Sequence, residues 1–356
     1  MLTDIQRKKY YNSLQGLRFV LFLNVFLFHI LGIIGKRTLF GKWFEYSGRL
    51  GVSGFLALSG FLFAISTLGR NDLSVSYSIK RYIKKYYPYH FLLFISFIPF
   101  ELLSVFEGNQ NLGRFLAKAV LQITLTQTMV PISDIYLSFN NVSWYLSTLL
   151  LISIFAIPLA GVLKKQNAKT ISIVLLLLLV FEYAISLILP NSEFATWLLY
   201  ISFPIRLIDY VIGMCFGYIY LEKRITIENA RKNLIVIAVF SGLVIIPFIN
   251  SYLPQNLTYG AIYNPLMGLL IMCLADGENI LSAFLSKPFM IKLGNISFLL
   301  YIFHYAVMRY LWIIWKNLSF VTDSWIWNSV FILLVFIITY AVSKCVLLVK
   351  ERNQNG

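Results

Sequence analysis

Arg18 and His29 lie in one apolar run that extends from Leu17 to Ile34, with ten residues between them. Eleven steps of about 100° along an α-helix bring the two side chains to within roughly 20° of each other, and the helical rise separates them by about 16 Å. The two residues are therefore expected on one face of a helix. An ionisable side chain inside a membrane span costs about 3 kcal/mol or more, so such residues usually have a function. We interpret His29 first as a functional group.

The chain that carries this pair has the composition of a membrane protein. It has 356 residues, of which 59% are hydrophobic and only 13% are charged, and its mean hydropathy is +0.76. Too few polar side chains remain to cover a water-soluble surface. The start is polar and basic, and the first apolar run is not followed by a small-residue cleavage site, so we expect the first span to be retained.

The apolar runs predict the architecture. A membrane crossing needs about 20 predominantly apolar residues in a helix. Runs of suitable length predict an all-α, polytopic bundle of about ten transmembrane helices, in a single domain of residues 1–356 without a soluble domain. The runs are 17–35, 50–68, 87–106, 144–163, 170–189, 197–221, 233–250, 258–275, 296–315 and 325–349. A cytoplasmic N-terminus places most of the 30 lysines and arginines inside, Arg7, Lys8 and Arg70 among them, so the positive-inside rule predicts that both termini are cytoplasmic.

The segment from about 114 to 130 is long enough to suggest an eleventh span. Its apolar residues follow helical spacing, but Lys118 and Gln122 interrupt them. Counting this segment as a span would also place Lys164 and Lys165 outside the cytoplasm. We therefore predict an amphipathic helix on the outer surface.

Six motifs occur in order and together extend over nearly the whole chain. They are LQGLRFVLFLNVFLFHI (14–30), GVSGFLALSGFLFA (51–64), KRYIKKYYPY (80–89), NNVSWYLSTLL (140–150), RLIDYVIGMCFGYIY (206–220) and GNISFLLYIFH (294–304). They resemble the acyltransferase-3 family, bacterial ten-span membrane proteins that O-acylate surface glycans. The resemblance implies an O-acyltransferase of the bacterial cytoplasmic membrane. Such a protein moves an acyl group, most simply acetyl from acetyl-CoA, to a hydroxyl of O-antigen, capsule, exopolysaccharide or a lipid-linked precursor.

The resemblance gives roles to the charged residues. Acyl transfer to a hydroxyl needs a base, and a neutral imidazole suits this work, so His29 is the candidate base. The structural alternative is a buried histidine that bonds a neighbouring helix. Arg18, where its helix leaves the cytoplasm, is interpreted as a ligand of donor phosphate or carbonyl, or else as a positive-inside anchor. Arg81, Lys84 and Lys85 are expected to bind the CoA phosphates, with a role in topology or in contacts with anionic lipid as the alternative.

Further residues of the motifs are expected to support the site or to bind the acceptor. These are His304, Arg206, Trp144, Tyr301 and Ser59. The alternatives are a purely structural role for His304 and a place in the aromatic belt for Trp144. Tyr301 lies one turn before His304, where either it or Ser297 is placed to orient the imidazole. Arg206 precedes Asp209 by three residues, and the alternative to an acceptor role is an internal ion pair. His90, beside Tyr89, is expected at the membrane surface.

The remaining expectations concern ligands and partners. The three cysteines are far apart and show no ligand spacing, so no metal and no bound cofactor are expected. The net charge of +15 follows the topology, and no nucleic acid is expected. The expected partners are the lipid bilayer, acyl-CoA and a glycan acceptor, with glycan-assembly proteins as further candidates. A transporter or lipid-glycan flippase with an intramembrane His/Arg path is the alternative class, although the internal repeats typical of transporters are not found.

Overall fold

The computed structural model describes residues 4–35, 41–67, 74–222, 229–277, 279–318 and 324–355. Within these ranges every regular element is helical. The α-helices are α1 (Asp4–Ile33), α2 (Gly41–Thr67), α3 (Val75–Phe106), α4 (Leu112–Ile123), α5 (Ser133–Tyr136), α6 (Trp144–Leu163), α7 (Ala168–Ile188), α8 (Glu193–Thr196), α9 (Phe203–Glu222), α10 (Asn229–Ile249), α11 (Asn264–Asp276), α12 (Ile280–Leu285), α13 (Pro288–Asn295), α14 (Ser297–Trp315) and α15 (Trp325–Asn355). Short 3₁₀ or π segments are Gln127–Met129, Asn141–Ser143, Trp197–Ile201, Asn250–Tyr252 and Gln255–Tyr259.

Among the described residues, ten helical stretches are long and apolar enough to cross a membrane, which confirms the predicted all-α bundle. They are Asn12–Ile33, Ser47–Thr67, Val75–Phe106, Asn141–Leu163, Ala168–Ile188, Glu193–Glu222, Arg231–Tyr252, Gln255–Asp276, Ser297–Trp315 and Trp325–Arg352. Each overlaps one of the apolar runs. The cytoplasmic position of both termini and the single-domain boundary stay predictions. Arg70 and the side chains of Arg7 and Lys8, which support that orientation, lie outside what the structure describes.

The third helix shows the largest shift from its apolar run. It begins at Val75 rather than near 87, so the basic motif of residues 80–89 is helical. Ser74 explains the early start, because its Oγ accepts a hydrogen bond of 3.1 Å from the backbone N–H of Tyr77. Such a cap satisfies one of the free N–H groups of the first turn.

A chain with ten crossings alternates between two faces of the bundle. We call the N-terminal face the one that carries the start of α1 and residues 277–296, and the opposite face the one that carries residues 107–140 and 250–263. At the N-terminal face, α1 is in direct contact with the end of α12, because a Cβ atom added to Gly16 would lie 2.1 Å from the carbonyl oxygen of Leu285. Glycine is therefore required where α1 meets α12.

The centre of the bundle is formed by the close packing of α2 against α9. A Cβ on Gly60 would lie 1.9 Å from the carbonyl oxygen of Tyr210, and a Cβ on Gly213 would lie 2.0 Å from that of Ala57. Small residues let helix backbones approach, which is how helices associate in membranes, where lipid competes for apolar contacts. The GVSGFLALSGFLFA and RLIDYVIGMCFGYIY motifs thus have a packing role.

The predicted amphipathic helix is present as α4, and it runs back along α3. Lys118 Nζ lies 3.4 Å from Glu101 Oε2, whereas at the end of α4 the carbonyl oxygen of Ile123 accepts a hydrogen bond of 2.9 Å from Tyr87 Oη. Lys118 is buried, and the apolar side, for example Val120, is exposed. The polar side of α4 therefore faces the bundle. The position of the helix relative to a membrane surface stays a prediction.

The expectation for His90 is wrong, because α4 covers it. Its side chain is only 1% exposed, and its Nε2 donates a hydrogen bond of 2.8 Å to the carbonyl oxygen of Gln122. The local sequence, with Tyr89 and a proline nearby, is typical of an interface. Only the return of the chain along α3 buries this histidine.

Ion pairs hold the loop between α4 and α6, residues 124–143. Asp134 lies 2.8 Å from Lys118 Nζ and 2.7 Å from Arg114 Nε. Partial burial works to raise the pKa of Asp134, but the hydrogen bonds and charges of Lys118 and Arg114 outweigh it, so the pKa lies below its usual value. Glu101 Oε1 accepts a hydrogen bond of 3.1 Å from the backbone N–H of Phe139, a residue with a φ of 56°. The loop is thus fixed against α3.

Candidate active site

Two histidines from different helices meet inside the bundle. The imidazole centroids of His29 on α1 and His304 on α14 are 5.3 Å apart. His304 is fully buried and His29 is partly buried. The motifs at the two ends of the chain are therefore joined in one site by the packing of α1 against α14.

The ring of His304 is oriented by its own helix. Its Nδ1 makes a hydrogen bond with the backbone carbonyl oxygen of Tyr301. A carbonyl oxygen only accepts, so Nδ1 carries the hydrogen and Nε2 carries a lone pair. Nε2 is buried and has no hydrogen-bond partner among the described residues. The Tyr301 backbone thus orients the imidazole, while the Tyr301 hydroxyl group donates to the carbonyl oxygen of Val142; a role for the Tyr301 or Ser297 side chain in orienting the ring stays a prediction.

Aromatic rings line the histidine pair. Phe22 and Phe26 of α1 pack against His304, with centroid distances of 5.8 and 6.3 Å. Phe28 and Tyr305 pack against His29 at 4.9 and 5.5 Å. Within the described part of the chain, no acidic side chain forms an ion pair with either imidazole. The pair is therefore surrounded mostly by aromatic rings, with no counter-charge among the described residues.

The turn of residues 140–142 holds α14 on both sides of His304. The three hydrogen bonds run from Asn140 Nδ2 to Ile302 O (3.2 Å), from Asn141 Nδ2 to Tyr305 Oη (3.4 Å) and from Tyr301 Oη to Val142 O (3.1 Å). Tyr305 also contacts His29, so the turn connects to both histidines. Since Phe139, just before this turn, is bound by Glu101, the position of α14 depends on the 124–143 loop.

Arg18 lies apart from the histidine pair, toward the N-terminal face. Its Nη1 donates a hydrogen bond of 2.9 Å to Gln15 Oε1, and its guanidinium interacts electrostatically with Tyr86 and Tyr145. Tyr145 in turn is a hydrogen-bonding neighbour of the Ser59 hydroxyl. Arg18 therefore lies within electrostatic range of two tyrosines, and its described hydrogen bond is to Gln15 on its own helix.

The expected donor-binding cations lie in the first turns of α3. Arg81, Lys84 and Lys85 are exposed. The Nζ of Lys85 lies 4.8 Å from the ring centroid of Tyr86, the tyrosine that also interacts with Arg18. Lys85 of this exposed basic patch therefore contacts a tyrosine that lies within electrostatic range of Arg18.

Together these groups lie along a row through the bundle, with direct contacts from Lys85 to Tyr86 and from Tyr145 to the histidine pair. The ring centroids of Tyr145 and Tyr301 are 5.4 Å apart, and those of Tyr301 and His304 are 5.7 Å apart. We call the following set the polar row: Lys85, Tyr86, Arg18, Tyr145, Tyr301, His304 and His29. Cations occupy one end and imidazoles the other, about 16 Å apart along α1 by the helical rise.

Arg206 is placed outside the polar row. It is 1% exposed, and its Nη1 lies 2.8 Å from Asp209 Oδ2, so the ion pair considered from the sequence is present. Asn264 Nδ2 lies 2.8 Å from Asp209 Oδ1 and 2.8 Å from each carboxyl oxygen of Glu182. We call these four residues, Glu182, Arg206, Asp209 and Asn264, the ionic cluster.

Trp144 lies between the polar row and the ionic cluster. It is buried, and its ring contacts Tyr145 at 6.1 Å and Tyr200 at 5.2 Å. Arg206 in turn lies 5.7 Å from the ring of Tyr200. Trp144 therefore packs the two sites against each other and does not contact the imidazoles in the structure.

The sequence analysis did not single out several members of the site. Tyr86 and Tyr145 stand within quoted motifs, as do Asn140 and Asn141, while Tyr305 directly follows His304. Their positions within or beside the motifs are the sequence feature that could have marked them as members of the site. Tyrosine is common near the ends of membrane spans, so residue type alone does not separate these residues from interfacial aromatics.

A multi-span helical bundle with an internal histidine pair and a basic patch at one end defines a membrane protein built for chemistry inside the bundle. The sequence model of the acyltransferase-3 family, described as an acyltransferase domain, matches residues 11–344. The chain belongs to this family and is a membrane acyltransferase.

One curated relative supports the same class. The chain is similar to the acyltransferase MdmB of Streptomyces mycarofaciens, with 26% identity over 326 residues, which are 84% of this chain and 79% of the relative. No solved structure matches the chain. Family membership favours acyl transfer over the transporter or flippase considered from the sequence.

Proposed function

We propose that this protein is an O-acyltransferase that moves an acyl group, most simply acetyl, from acyl-CoA to a hydroxyl of a surface glycan or its lipid-linked precursor. The polar row carries the proposal. An acyl-CoA has anionic phosphates at one end and a thioester at the other. Its charge distribution matches a row with cations at one end and neutral imidazoles at the other.

The donor enters at the N-terminal face. Arg81, Lys84 and Lys85 are exposed and free to meet phosphates in solution. Arg18 lies deeper, where its planar guanidinium is suited to hold phosphate or carbonyl oxygen by two hydrogen bonds. The arm of the donor then follows the tyrosines toward His304, which places the thioester near the histidine pair.

His29 acts as the base. It accepts the proton of the acceptor hydroxyl as the hydroxyl oxygen attacks the thioester carbonyl carbon. The new C–O bond forms, the C–S bond breaks, and the sulfur of CoA leaves as a thiolate that takes up the proton from His29. The reaction needs no metal ion or redox partner, and its atoms and charges balance.

His304 assists this step by its fixed tautomer. Because Nδ1–H is committed to Tyr301, Nε2 offers only a lone pair. The ring centroids of the two imidazoles are 5.3 Å apart, so this lone pair is available to accept a hydrogen bond from an N–H of His29. His304 therefore serves to orient the base.

The acceptor enters from the opposite face. His29 lies four residues before the end of α1 at Ile33, which is about 6 Å from that end by the helical rise. With the N-terminus in the cytoplasm, this face is the outer face of a bacterial cytoplasmic membrane, where surface glycans and their lipid-linked precursors are assembled. Proteins of glycan assembly are the proposed partners on that side.

Sided vesicles test the direction of transfer. Sealed inside-out and right-side-out vesicles are given radiolabelled acetyl-CoA, and label in glycan is measured. We expect labelling only when acetyl-CoA reaches the N-terminal face. Vesicles with the His29→Ala protein should stay unlabelled, and permeabilised vesicles of both orientations should label equally.

Two results would contradict the proposal. Equal labelling of both types of sealed vesicles would show that the donor site is not confined to the N-terminal face. Labelling of a protein or lipid product in which the acyl group is on nitrogen rather than oxygen would exclude a hydroxyl acceptor.

A further inference from the structure

The ionic cluster lies away from the polar row and is not used in the proposed reaction. It joins three helices, since Glu182 lies on α7, Arg206 and Asp209 lie on α9, and Asn264 begins α11. All four residues are between 0% and 1% exposed. Charge in such a place must be compensated locally, because the cost of an unpaired buried ion is several kcal/mol.

The charges of the cluster do not balance if every group is ionised. The cluster has one guanidinium and two carboxyl groups. The side chain of Arg206 makes its contacts with Asp209, with Ser53 Oγ at 3.4 Å and with the carbonyl oxygen of Leu199. Glu182 has no cation among these contacts, so one negative charge is left over.

The hydrogen bonds of Glu182 also indicate an excess of negative charge in the cluster. Both of its carboxyl oxygens lie 2.8 Å from Asn264 Nδ2, which also lies 2.8 Å from Asp209 Oδ1. A single NH₂ group has two hydrogens for these three oxygens. The Glu182 and Asp209 carboxyls thus meet at one NH₂ group, and two carboxylates held at that range repel each other unless one of them carries a proton.

The amide oxygen of Asn264 gives a second, independent indication that the negative charge is not compensated by hydrogen bonds. Its Oδ1 is buried and has no hydrogen-bond partner in the described structure. Rotating the amide would place this oxygen against the three carboxyl oxygens, which are acceptors unless one of them is protonated. Neither orientation of the amide supplies the missing positive charge.

Among the described residues, no lysine or arginine forms an ion pair with Glu182. Arg49 on α2 makes its described contacts with Thr258 Oγ1, at 2.5 Å, and with the ring of Tyr259, at 4.4 Å. The tyrosines around the cluster, Tyr200, Tyr259 and Tyr263, are neutral phenols. Gly260 brings only backbone, and a Cβ there would lie 2.7 Å from both Glu182 Oε1 and Arg206 Nη2.

The geometry points to a buried proton-binding site in which Glu182 and Asp209 share one proton. Asp209 is the ionised partner of Arg206, and Glu182 is the neutral carboxylic acid. Two carboxyl groups at close range hold a single proton because both cannot be charged at that distance. The proton is then a structural ligand that lets α7 pack against α9 and α11.

Infrared spectroscopy of the protein purified in an alkyl maltoside, a detergent without ester carbonyl groups, tests this inference. A protonated carboxylic acid has a carbonyl band separate from that of a carboxylate, and the band shifts in D₂O. We expect this band in the wild-type protein and its loss in Glu182→Gln. Asp209→Asn should also lose it, because Glu182 then ionises and becomes the partner of Arg206. Far-UV circular dichroism checks that each variant is helical.

Glu101→Gln is the matched control. Glu101 is also a membrane-span carboxyl group, but it is paired with Lys118 at 3.4 Å, so its removal should leave the acid band unchanged. Absence of the band from the wild-type protein would overturn the proposal, even if a variant fails to fold. Survival of the band in both Glu182→Gln and Asp209→Asn, or its loss in Glu101→Gln, would also overturn it. Acyl transfer is not part of this readout, so the result is independent of the proposed function.

Discussion

The histidine pair and the ionic cluster are both polar sites inside an apolar bundle, but their partners differ. In the ionic cluster Arg206 and Asp209 are paired at 2.8 Å, and Asn264 connects them to Glu182. In the histidine pair, His304 Nε2 has no partner among the described residues, and the surroundings of both imidazoles are mainly aromatic rings. In the cluster the guanidinium is paired with a carboxylate, whereas the histidine pair keeps a basic nitrogen without a partner among the described residues.

This difference separates a structural site from a reactive one. A buried ion pair whose members satisfy each other holds helices together, and breaking one member leaves a costly unpaired charge. A neutral imidazole can be buried at lower cost and remains able to accept a proton. We therefore expect changes in the ionic cluster to affect folding and changes in the histidine pair to affect turnover.

The largest effect on activity is expected for His29→Ala. Loss of a general base lowers turnover by about 10²- to 10⁴-fold. Glycan acylation is measured in membranes with equal amounts of inserted protein. Acylation above about a tenth of the wild-type rate, a loss below about 1.4 kcal/mol of transition-state stabilisation, would exclude an essential base.

His90→Gln provides the matched control among the three histidines of the chain. Gln keeps an N–H donor for the carbonyl oxygen of Gln122, and His90 lies outside the polar row. Activity should stay near wild type, with a loss of stability of about 1 kcal/mol. A loss of activity as large as that of His29→Ala would remove the distinction between the two positions.

The largest effect on stability is expected for Arg206→Met. It leaves the ionised Asp209 without its cation, which costs about 3–5 kcal/mol for a buried pair. The midpoint of thermal unfolding in detergent should fall sharply, and the yield of folded protein should fall with it. Arg309→Met is the control, because Arg309 is an exposed cation on α14. Similar midpoints for the two variants would show that the ionic cluster does not stabilise the fold.

A smaller effect is expected for Arg18→Lys. Lysine keeps the charge that the positive-inside rule counts, but it loses the planar fork of arginine. The apparent KM for acetyl-CoA should rise about tenfold, or about 1.4 kcal/mol, with native topology by cysteine accessibility. Wild-type KM and turnover together with native topology would make Arg18 only a topological anchor.

Asn141→Ala should weaken the histidine pair indirectly. It removes the hydrogen bond of 3.4 Å to Tyr305 Oη, whose ring contacts His29. A loss of about 1 kcal/mol corresponds to roughly fivefold in turnover. Tyr305→Phe should have a similar effect, and the double variant should be no worse than either single one. Additive losses would show that the two residues act separately.

The smallest effect is expected for Asp134→Asn, since Asp134 is half exposed and surface ion pairs contribute up to about 1 kcal/mol. Because the pKa of Asp134 is lowered in the folded protein, its stabilising effect is present above the unfolded-state pKa and is lost as the pH falls through the folded-state pKa. Unfolding midpoints of wild type and variant should differ at neutral pH and converge in acid. A difference that persists or grows in acid would contradict this ionic role.

Much of the architecture follows from local sequence. Each of the ten candidate spans can be predicted from the sequence, because a membrane helix needs a long apolar run of its own. The shared face of Arg18 and His29 follows from the helical period, and the ion pair of Arg206 with Asp209 follows from their spacing of three residues. Helix α4 is amphipathic as its spacing indicates, although its apolar side is the exposed one.

The contacts between helices were decided by tertiary structure. An apolar run in a membrane protein is similar on all sides, so its pattern does not show which face meets which neighbour. For this reason the sequence did not show that Asn264 connects Glu182 to the Arg206–Asp209 ion pair, or that α4 buries His90. The contact between His29 and His304 likewise depends on packing across 275 positions of the chain, because only the assembled bundle brings the two ends together.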